Sequence, residues 1–272
     1  MSDLRLTLAR ADLADAALQG VVKAGRFDKT ETFHCGVPAT AVRRAPDPEA
    51  EQVDQLLFGE TFRVLEIGQG WAWGQAGRDG YVGHVRLDDL TPGAILATHR
   101  VGSLRAYAFS RPDLKSRPMA LLSLGALVAV EGEEGRYLKA EGSGWIAAVQ
   151  LSPIGQVESD PAAVAERFLG APYQWGGRES LGLDCSALVQ QALHACGRFC
   201  PRDSDQQQAL GRPVDAAELA RGDLVFWQGH VGMMLDAARL IHANAFHMQV
   251  EIEPLAEAVG RIGEPAALRR PG

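Results

Sequence analysis

The pattern of apolar and polar positions differs between the middle of the chain and its C-terminal part. Between about residues 37 and 153, short apolar runs are cut by glycine and proline every few residues. Short runs with turn signals every eight to twelve residues are typical of small β-barrels. The predicted strands are Thr61–Ile67, Trp71–Gln75, Tyr81–Val85, Ala126–Val130, Arg136–Ala140 and Gly144–Val149.

The β-rich region repeats itself at an interval of roughly 60 residues. In each half a Gly-led strand is followed by a Gly-aromatic strand and a Gly-aromatic-apolar strand, with Trp71 and Tyr81 in the first half and Tyr137 and Trp145 in the second. This order resembles bacterial SH3-like barrels. We therefore predict one barrel at 37–92 and another at 93–155, after an N-terminal extension, 1–36, with a short helix at Asp12–Leu18.

From residue 156 to 272 the pattern changes to helices followed by strands. Ser159, Asp160 and Pro161 supply a capping residue followed by proline, which predicts a helix over Ala162–Leu169. Apolar residues at helical spacing predict a second helix over Cys185–Cys196. Four strands follow, at Asp223–Trp227, His230–Leu235, Arg239–Ala243 and Met248–Ile252. Helices first and then an antiparallel sheet indicate an α+β domain.

Composition narrows the range of partners. The chain has 272 residues, 46% of them hydrophobic, and a net charge of -7. Nucleic acid and membrane surfaces are disfavoured, because both are bound by clustered Lys and Arg and no basic run here exceeds a pair. Charged residues interrupt the N-terminal apolar stretch, so no secretory signal is indicated and we expect a cytoplasmic protein. Cys35, Cys196 and Cys200 are expected to be reduced and buried.

The remaining cysteine, Cys185, lies in the first turn of its predicted helix. Unpaired N–H groups and the positive end of the helix dipole favour a thiolate there and can hold an oxyanion. His230 begins an apolar strand and His242 lies on the next one, so the first imidazole can act as the base and the second can orient it. Cysteine on a helix, then histidine, then a polar orienting residue is the papain-like chain order.

Five ordered motifs resemble the NlpC/P60 family of cell-wall peptidases over about 110 residues. They are Pro172-Tyr173-x-Trp175-Gly176-Gly177, Leu183-Asp184-Cys185-Ser186-x-Leu188-Val189, Gly222-Asp223-Leu224-Val225-Phe226, His230-Val231-Gly232-Met233 and Ile241-His242-Ala243. The chain departs from the family at Ala187, where glycine is usual.

The resemblance implies a papain-like fold without cofactor or metal, with Cys185, His230 and His242 in the catalytic roles. Tyr173, Asp184 and Ser186 are expected to line the site, with the tyrosine near the oxyanion position. The family cleaves γ-D-glutamyl bonds to a diamino acid in peptidoglycan stem peptides, so murein peptides are the expected partners. The catalytic domain is predicted at 156–272.

The two barrels resemble a subgroup that trims free murein peptides during cell-wall recycling. In that subgroup acidic groups hold the free amine of an N-terminal L-Ala. The resemblance points to Asp203 and Ser204, with Glu60 and Tyr81 from the first barrel. The alternatives are that Asp203 and Ser204 shape a loop, that Glu60 is a solvated strand end and that Tyr81 is barrel core.

Three other interpretations remain open. The fold could carry an amidase or acyltransferase acting on lipid, which would need an apolar groove or a membrane-seeking helix near the cysteine. It could be a non-catalytic murein-binding protein. A metal site built from His230, His242 and His247 is a third alternative, but the sequence shows no carboxylate or thiolate at a spacing that would complete it.

Overall fold

The structure, a computed structural model, describes residues 3–272. It divides into two compact units, the first ending at Ile154 and the second beginning at Gly155. Within the described residues the N-terminal unit is built from strands and short 3-10 turns, and all the α-helices lie in the C-terminal unit. None of these helices has the length and apolar character needed to span a membrane.

The N-terminal segment forms two short parallel strands, β1 (Leu13–Asp15) and β2 (Arg26–Asp28). The helix predicted at Asp12–Leu18 is therefore wrong. Leu13 and Ala14 are buried within β1, so only Ala16–Leu18 turn, as a single 3-10 helix. The Asp15 side chain caps this turn by accepting a hydrogen bond from the Ala17 N–H at 3.0 Å.

The first module of the N-terminal unit, residues 31–92, is a seven-stranded antiparallel sheet. Its strands are β3 (Glu31–Cys35), β4 (Ala39–Arg43), β5 (Gln52–Leu57), β6 (Thr61–Gly68), β7 (Trp71–Ala76), β8 (Val82–Arg86) and β9 (Leu90–Pro92). A buried cluster that includes Phe33, Phe62 and Val85 forms its core. Because β3 pairs with β6 and β9, this module begins before the predicted boundary at residue 37.

The second module, residues 99–153, repeats the strand pairing of the first. Its strands are β10 (His99–Val101), β11 (Arg105–Phe109), β12 (Pro118–Ser123), β13 (Leu127–Val128), β14 (Val130–Glu134), β15 (Tyr137–Ala140), β16 (Gly144–Ala147) and β17 (Leu151–Pro153). The first module pairs β3 with β6 and β9, β4 with β5 and β8, and β7 with β6 and β8. The second pairs β10 with β13 and β17, β11 with β12 and β16, and β15 with β14 and β16.

Both modules also end in the same way. A 3-10 turn, Leu87–Asp89 in the first and Ala148–Gln150 in the second, leads into the last short strand. The residue after each turn has nearly the same backbone angles, φ -109° and ψ 140° at Leu90 and φ -109° and ψ 141° at Leu151. The repeat inferred from glycine and aromatic spacing is thus present as a repeated topology.

The two modules share core residues at the end of β5. Leu57 and Phe58 are buried in the hydrophobic cluster of the second module, and the Phe58 carbonyl accepts a hydrogen bond from the Leu127 N–H at 2.8 Å. Gly59 follows with φ +78°. A Cβ atom there would lie 2.3 Å from the Leu127 carbonyl oxygen, so the junction requires glycine.

The C-terminal unit has four helices and a six-stranded antiparallel sheet. Its elements are α1 (Pro161–Glu166), β18 (Arg178–Glu179), β19 (Gly182–Leu183), α2 (Cys185–Ala195), α3 (Ser204–Gln207), β20 (Arg212–Pro213), β21 (Leu224–Trp227), β22 (His230–Met234), β23 (Arg239–Asn244), β24 (Gln249–Pro254), α4 (Leu255–Ile262) and β25 (Ala267–Arg270). The sheet order is β20-β25-β21-β22-β23-β24. The α+β arrangement matches the prediction, although the sequence analysis missed α3, α4 and β25.

Helix α2 is the buried element that carries the candidate nucleophile. It packs against α1 and against β22 and β23 of the sheet. Ten of its residues are buried, since the helix lies within the unit rather than on its surface. On the sheet, Gly229 at φ +72° turns the chain between β21 and β22, so that His230 is the first residue of β22.

We predict that Gly59→Ala destabilises the N-terminal unit more than Gly70→Ala. Both glycines have positive φ, which costs an L-residue about 1–2 kcal/mol. Of the two, only Gly59 also lacks space for a Cβ, and such overpacking destabilises a protein by about a further 1–3 kcal/mol. Urea unfolding followed by circular dichroism measures both variants. Equal urea midpoints for the two variants would show that the junction between the modules accommodates the added Cβ without loss of stability.

Candidate functional site

Cys185 is the first residue of α2 and faces the start of β22. Its side chain is buried, and the nearby backbone N–H groups of Val231 and Ser186 act to lower the pKa of its thiol. Because Val231 directly follows His230, these contacts place the thiol beside the strand that carries the candidate base.

Asp184 fixes the helix terminus that presents this thiol. Its Oδ1 accepts hydrogen bonds from the Ala187 N–H at 2.9 Å and the Ser186 hydroxyl at 3.1 Å. Its Oδ2 accepts from the Gly176 N–H at 2.9 Å. The carboxylate therefore caps α2 and ties it to the loop that precedes β18.

Arg202 completes this cluster from a segment far along the chain. Its guanidinium is 1% exposed and donates to both carboxylate oxygens of Asp184, at 3.0 and 2.7 Å. It also donates to the Ser186 hydroxyl at 3.0 Å. The side chains of Asp184 and Ser186, which we expected to line the site, instead form its support, because their polar atoms are used by buried neighbours.

The two candidate histidines are hydrogen-bonded to each other. His230 Nε2 lies 2.8 Å from His242 Nδ1, which leaves His230 Nδ1 as the ring nitrogen able to serve the thiol. His242 is fully buried on β23. The structure thus brings together the imidazole pair that the strand order predicted.

Beyond His242 the hydrogen-bonded series continues to two residues that the sequence analysis missed. His242 Nε2 lies 2.7 Å from Glu253 Oε1, and the buried Glu253 carboxylate also pairs with Arg261. Arg261 Nη1 donates to Glu253 Oε2 at 2.9 Å. The only sequence signal for this pair is an acidic residue at the end of an apolar strand, with an arginine eight residues later in an amphipathic segment.

Burial sets the protonation states of the reacting pair. Burial, followed by the charge of Asp184, raises the pKa of the Cys185 thiol to about 12 despite the N–H groups around it. Burial, followed by the nearby His242, lowers the pKa of His230 to about 3. Burial thus opposes the thiolate that the position at the helix terminus was expected to favour. At neutral pH the pair is a neutral thiol and a neutral imidazole.

Tyr173 is half-buried and close to the nucleophile. Burial, followed by the charges of Cys185 and Asp184, raises the pKa of its hydroxyl above its usual value. The Tyr173 backbone N–H donates to the Met248 carbonyl at 2.9 Å, which ties the loop to the start of β24. A neutral phenol in this position is a hydrogen-bond donor, as the predicted oxyanion role requires.

Asp203 and Ser204 lie at the start of α3. Asp203 is the N-cap residue and forms a capping box with Gln206, and both Asp203 and Ser204 are partly buried. Asp203 therefore shapes this turn, and its role in binding an amine stays a prediction. Its neighbour Arg202 binds Asp184 and Ser186, so the segment that carries Asp203 is anchored to the helix terminus of Cys185.

Glu60 and Tyr81, the candidates from the first module, are both buried in the N-terminal unit. Glu60 is 2% exposed, pairs with Arg78 and accepts a hydrogen bond from the Leu57 N–H at 3.0 Å. It is therefore not a solvated strand end. Tyr81 belongs to the hydrophobic cluster of the first module.

One group of side chains has the spacing of a metal site. Donor atoms of His242, His247 and Glu253 lie within 4.8 Å of one another, so a carboxylate that the sequence analysis found missing is present after all. These donors already have partners, however. Both His242 nitrogens are hydrogen-bonded, Glu253 carries Arg261, and His247 Nδ1 contacts the Asn244 side chain at 3.0 Å. The donor set therefore fits a hydrogen-bonded network better than a metal.

Two family models match the chain. The NlpC/P60 family matches residues 170–261, and the bacterial dipeptidyl-peptidase SH3 domain matches residues 42–90. The first match contains the whole imidazole network, and the second lies within the first module.

Similar proteins and structures agree with these matches. Gamma-D-glutamyl-L-lysine dipeptidyl-peptidase of Bacillus subtilis is 25% identical over 75% of this chain and 76% of its own length. Dipeptidyl-peptidase 6 of Lysinibacillus sphaericus is 25% identical over 78% of this chain and 87% of its own length. A crystal structure of an NlpC/P60 family protein from Bacillus cereus shares the fold, with a TM-score of 0.78 over 88% of this chain and 99% of that one, at 21% identity.

The C-terminal unit is thus an NlpC/P60 domain, and the N-terminal unit contains a bacterial SH3 domain. The two domain matches confirm the resemblance drawn from the ordered motifs, and the names of the relatives support a peptidase. The SH3 match covers the first module; that the second module is also an SH3-like barrel stays a prediction, supported by its repeated strand pairing.

We predict that Arg202→Met destabilises the C-terminal unit by about 3 kcal/mol, because the variant leaves the Asp184 carboxylate buried without its cation. The matched control is Arg239→Met, which removes an ion pair to Asp236 between side chains that are 58% and 42% exposed. The control should leave the urea midpoint unchanged. A small shift for Arg202→Met would mean that backbone donors alone satisfy Asp184.

We also predict that the Cys185 thiol is un-ionised at neutral pH. Since the thiolate is the reactive form, its alkylation by iodoacetamide should rise about tenfold per pH unit from pH 6 to pH 9, without a plateau. Mass spectrometry of the peptide that contains Cys185 measures the rate, and Cys35 serves as an internal buried thiol. A plateau below pH 7 would indicate a thiolate–imidazolium pair instead.

Proposed function

We propose that this chain is a cysteine peptidase that hydrolyses the γ-D-glutamyl bond to a diamino acid in murein stem peptides. The observation that carries the proposal is the 2.8 Å contact between His230 and His242 beside the buried Cys185 thiol. The bond type is supported by the relative from Bacillus subtilis, a gamma-D-glutamyl-L-lysine dipeptidyl-peptidase, and a peptidase activity by the relative from Lysinibacillus sphaericus, dipeptidyl-peptidase 6.

The proposed reaction is acyl transfer in two stages. The thiol proton moves to His230 Nδ1 as the sulphur attacks the γ-carbonyl carbon of D-Glu. The backbone N–H of Cys185 and the Tyr173 hydroxyl stabilise the oxyanion. The carbon–nitrogen bond then breaks, and His230 gives its proton to the departing amine.

Water completes the cycle. His230, neutral again, removes a proton from a water molecule that attacks the thioester. The carbon–sulphur bond breaks, the free γ-carboxylate is released, and the thiol recovers its proton. His242 keeps the His230 ring in the orientation that both stages need.

We further propose that the substrate is a free peptide with an N-terminal L-Ala. Asp203 is the proposed partner of its ammonium group, because Arg202 holds this segment beside the Cys185 helix terminus. A blocked amine carries no charge, so it would forfeit the charge-assisted hydrogen bond proposed between the ammonium group and this carboxylate. Ser204, Glu60 and Tyr81 enter the proposal on the sequence resemblance alone, as does a role in cytoplasmic recycling.

The decisive assay compares L-Ala-γ-D-Glu-diaminopimelate with the same peptide acetylated at its N-terminus. We expect wild type to release L-Ala-D-Glu from the free peptide and Cys185→Ala to release none. Acetylation should lower kcat/KM by about 100-fold or more, since a polar group built to bind the amine is left unpaired. The corresponding peptide with L-Lys tests the choice of diamino acid.

Asp203→Asn should reduce the discrimination against the acetylated peptide, whereas Asp205→Asn, an exposed acidic neighbour on α3, should keep it. Equal cleavage of both peptides by wild type would refute the free-amine proposal and leave the peptidase intact. Wild type as inactive as Cys185→Ala on every peptide would refute the peptidase and favour a murein-binding protein.

A further inference from the structure

The hydrogen-bonded network that begins at His230 does not end at the second imidazole. It continues from His242 Nε2 to Glu253 Oε1 at 2.7 Å, and from Glu253 Oε2 to Arg261 Nη1 at 2.9 Å. Glu253 is near the end of β24, and Arg261 lies in the last turn of α4, which follows that strand directly. The strand and the helix therefore place the buried ion pair of Glu253 and Arg261 on the Nε2 side of His242.

The Glu253 carboxylate, which accepts a hydrogen bond from His242, determines which nitrogen of each imidazole carries a hydrogen. An ionised carboxylate only accepts hydrogen bonds, so His242 Nε2 must carry a hydrogen to bond Glu253. A neutral His242 then presents a lone pair at Nδ1, and His230 Nε2 must be the donor between the two rings. His230 Nδ1 is consequently left with the lone pair that can take the Cys185 proton.

The charges around the network support this protonation pattern. Burial opposes ionisation of Glu253, but the hydrogen bond from Arg261 and the neighbouring His242 hold the pKa of its carboxyl below the usual value. Burial lowers the pKa of His242, with Glu253 acting in the opposite direction and Arg261 and His247 acting with burial. Glu253 is thus the anion and both imidazoles are neutral at pH 7.

The ion pair is held from more than one side. The Arg261 guanidinium stacks on the Phe246 ring at 4.4 Å from its centroid, and that ring meets His247 edge-on. His242 is fully buried and Glu253 is 6% exposed. Little solvent can therefore replace the carboxylate as the partner of His242 Nε2.

We propose that Glu253, clamped by Arg261, is a positioning residue that fixes the tautomers of His242 and His230 so that His230 Nδ1 is the base for Cys185. The inference rests on the proposed peptidase reaction for its catalytic consequence. During the attack the thiol proton stops at His230, and no proton passes beyond His242. The Glu253 carboxylate stabilises the imidazolium that forms at His230 through the intervening ring.

Glu253→Gln is the central test. Its amide has the same shape, loses the charge and can donate to His242 Nε2, which permits the opposite tautomer. We expect kcat to fall at least about 10-fold, which is part of the roughly 10²–10⁴-fold that acid–base catalysis contributes, with KM changed by less than about twofold. Arg261→Met should also lower kcat, and Arg261→Lys should restore only part of it, because lysine keeps the charge but not the two-nitrogen contact.

Glu251→Gln is the matched control on the same strand. Glu251 lies opposite His242 on the paired strand, but its carboxylate accepts hydrogen bonds from Gln249 at 2.8 Å and from the Ile252 N–H at 3.2 Å, so kcat and KM should both stay at the wild-type level. Urea unfolding of every variant separates a loss of folded protein from a loss of turnover.

A spectroscopic readout reports the tautomers directly. In ¹⁵N-labelled protein we expect protonated Nε2 and bare Nδ1 on His242, and protonated Nε2 on His230, assigned with His230→Gln and His242→Gln. Glu253→Gln should change this pattern, while Glu251→Gln should not. Unchanged ring-nitrogen shifts in Glu253→Gln, or a fall in kcat matched by the loss of folded protein, would overturn the inference. Since the spectra need no turnover, they decide the matter even if wild type cleaves no peptide.

Discussion

The site depends on the buried carboxylate of Asp184. It joins three segments: the loop at Gly176, the first turn of α2 at Ala187, and the segment that begins with Arg202, 18 residues further along the chain. Because the thiol of Cys185 is attached to the next residue, its position follows from the position of this carboxylate. Breaking a buried ion pair by removing one partner is costly, so the geometry of the helix terminus is strongly determined.

A second constraint acts at the other side of the thiol, where the histidines are buried and neutral. A buried imidazole with two nitrogens can exist as either of two tautomers, and the wrong one leaves no base beside Cys185. An acceptor-only group at the end of the network removes that ambiguity. The same burial favours the protonated thiol, so in the proposed reaction the nucleophile is generated as its proton moves to His230. Orientation of the base therefore matters more here than in a site with a preformed thiolate.

Local features of the site were predictable from the sequence, and long-range partners were not. The cap before Cys185, the turn before His230 and the strand that carries His242 follow from residues close in the chain. Arg202 and Glu253 take their roles from partners 18 and 11 residues away, a relation that spacing alone does not reveal. The helix prediction at Asp12–Leu18 was wrong for the same reason, because the pairing of Leu13–Asp15 with Arg26–Asp28 overrides the local helical pattern. The second module was visible as a repeat because its glycines occupy corresponding turns.

The buried carboxylates of the C-terminal unit share one kind of partner. The described residues include three buried carboxylates in this unit, and each is paired with an arginine from another element: Asp184 with Arg202, Asp223 with Arg270 and Glu253 with Arg261. A planar guanidinium can bond both oxygens of a carboxylate through two parallel N–H groups, a rigid geometry that the ammonium group of lysine does not offer. Two of these pairs flank the reacting residues, one behind Cys185 and one behind His242. The polar support of the site is therefore built from interactions that also hold the fold, which explains why activity and stability must be measured together in any variant of these pairs.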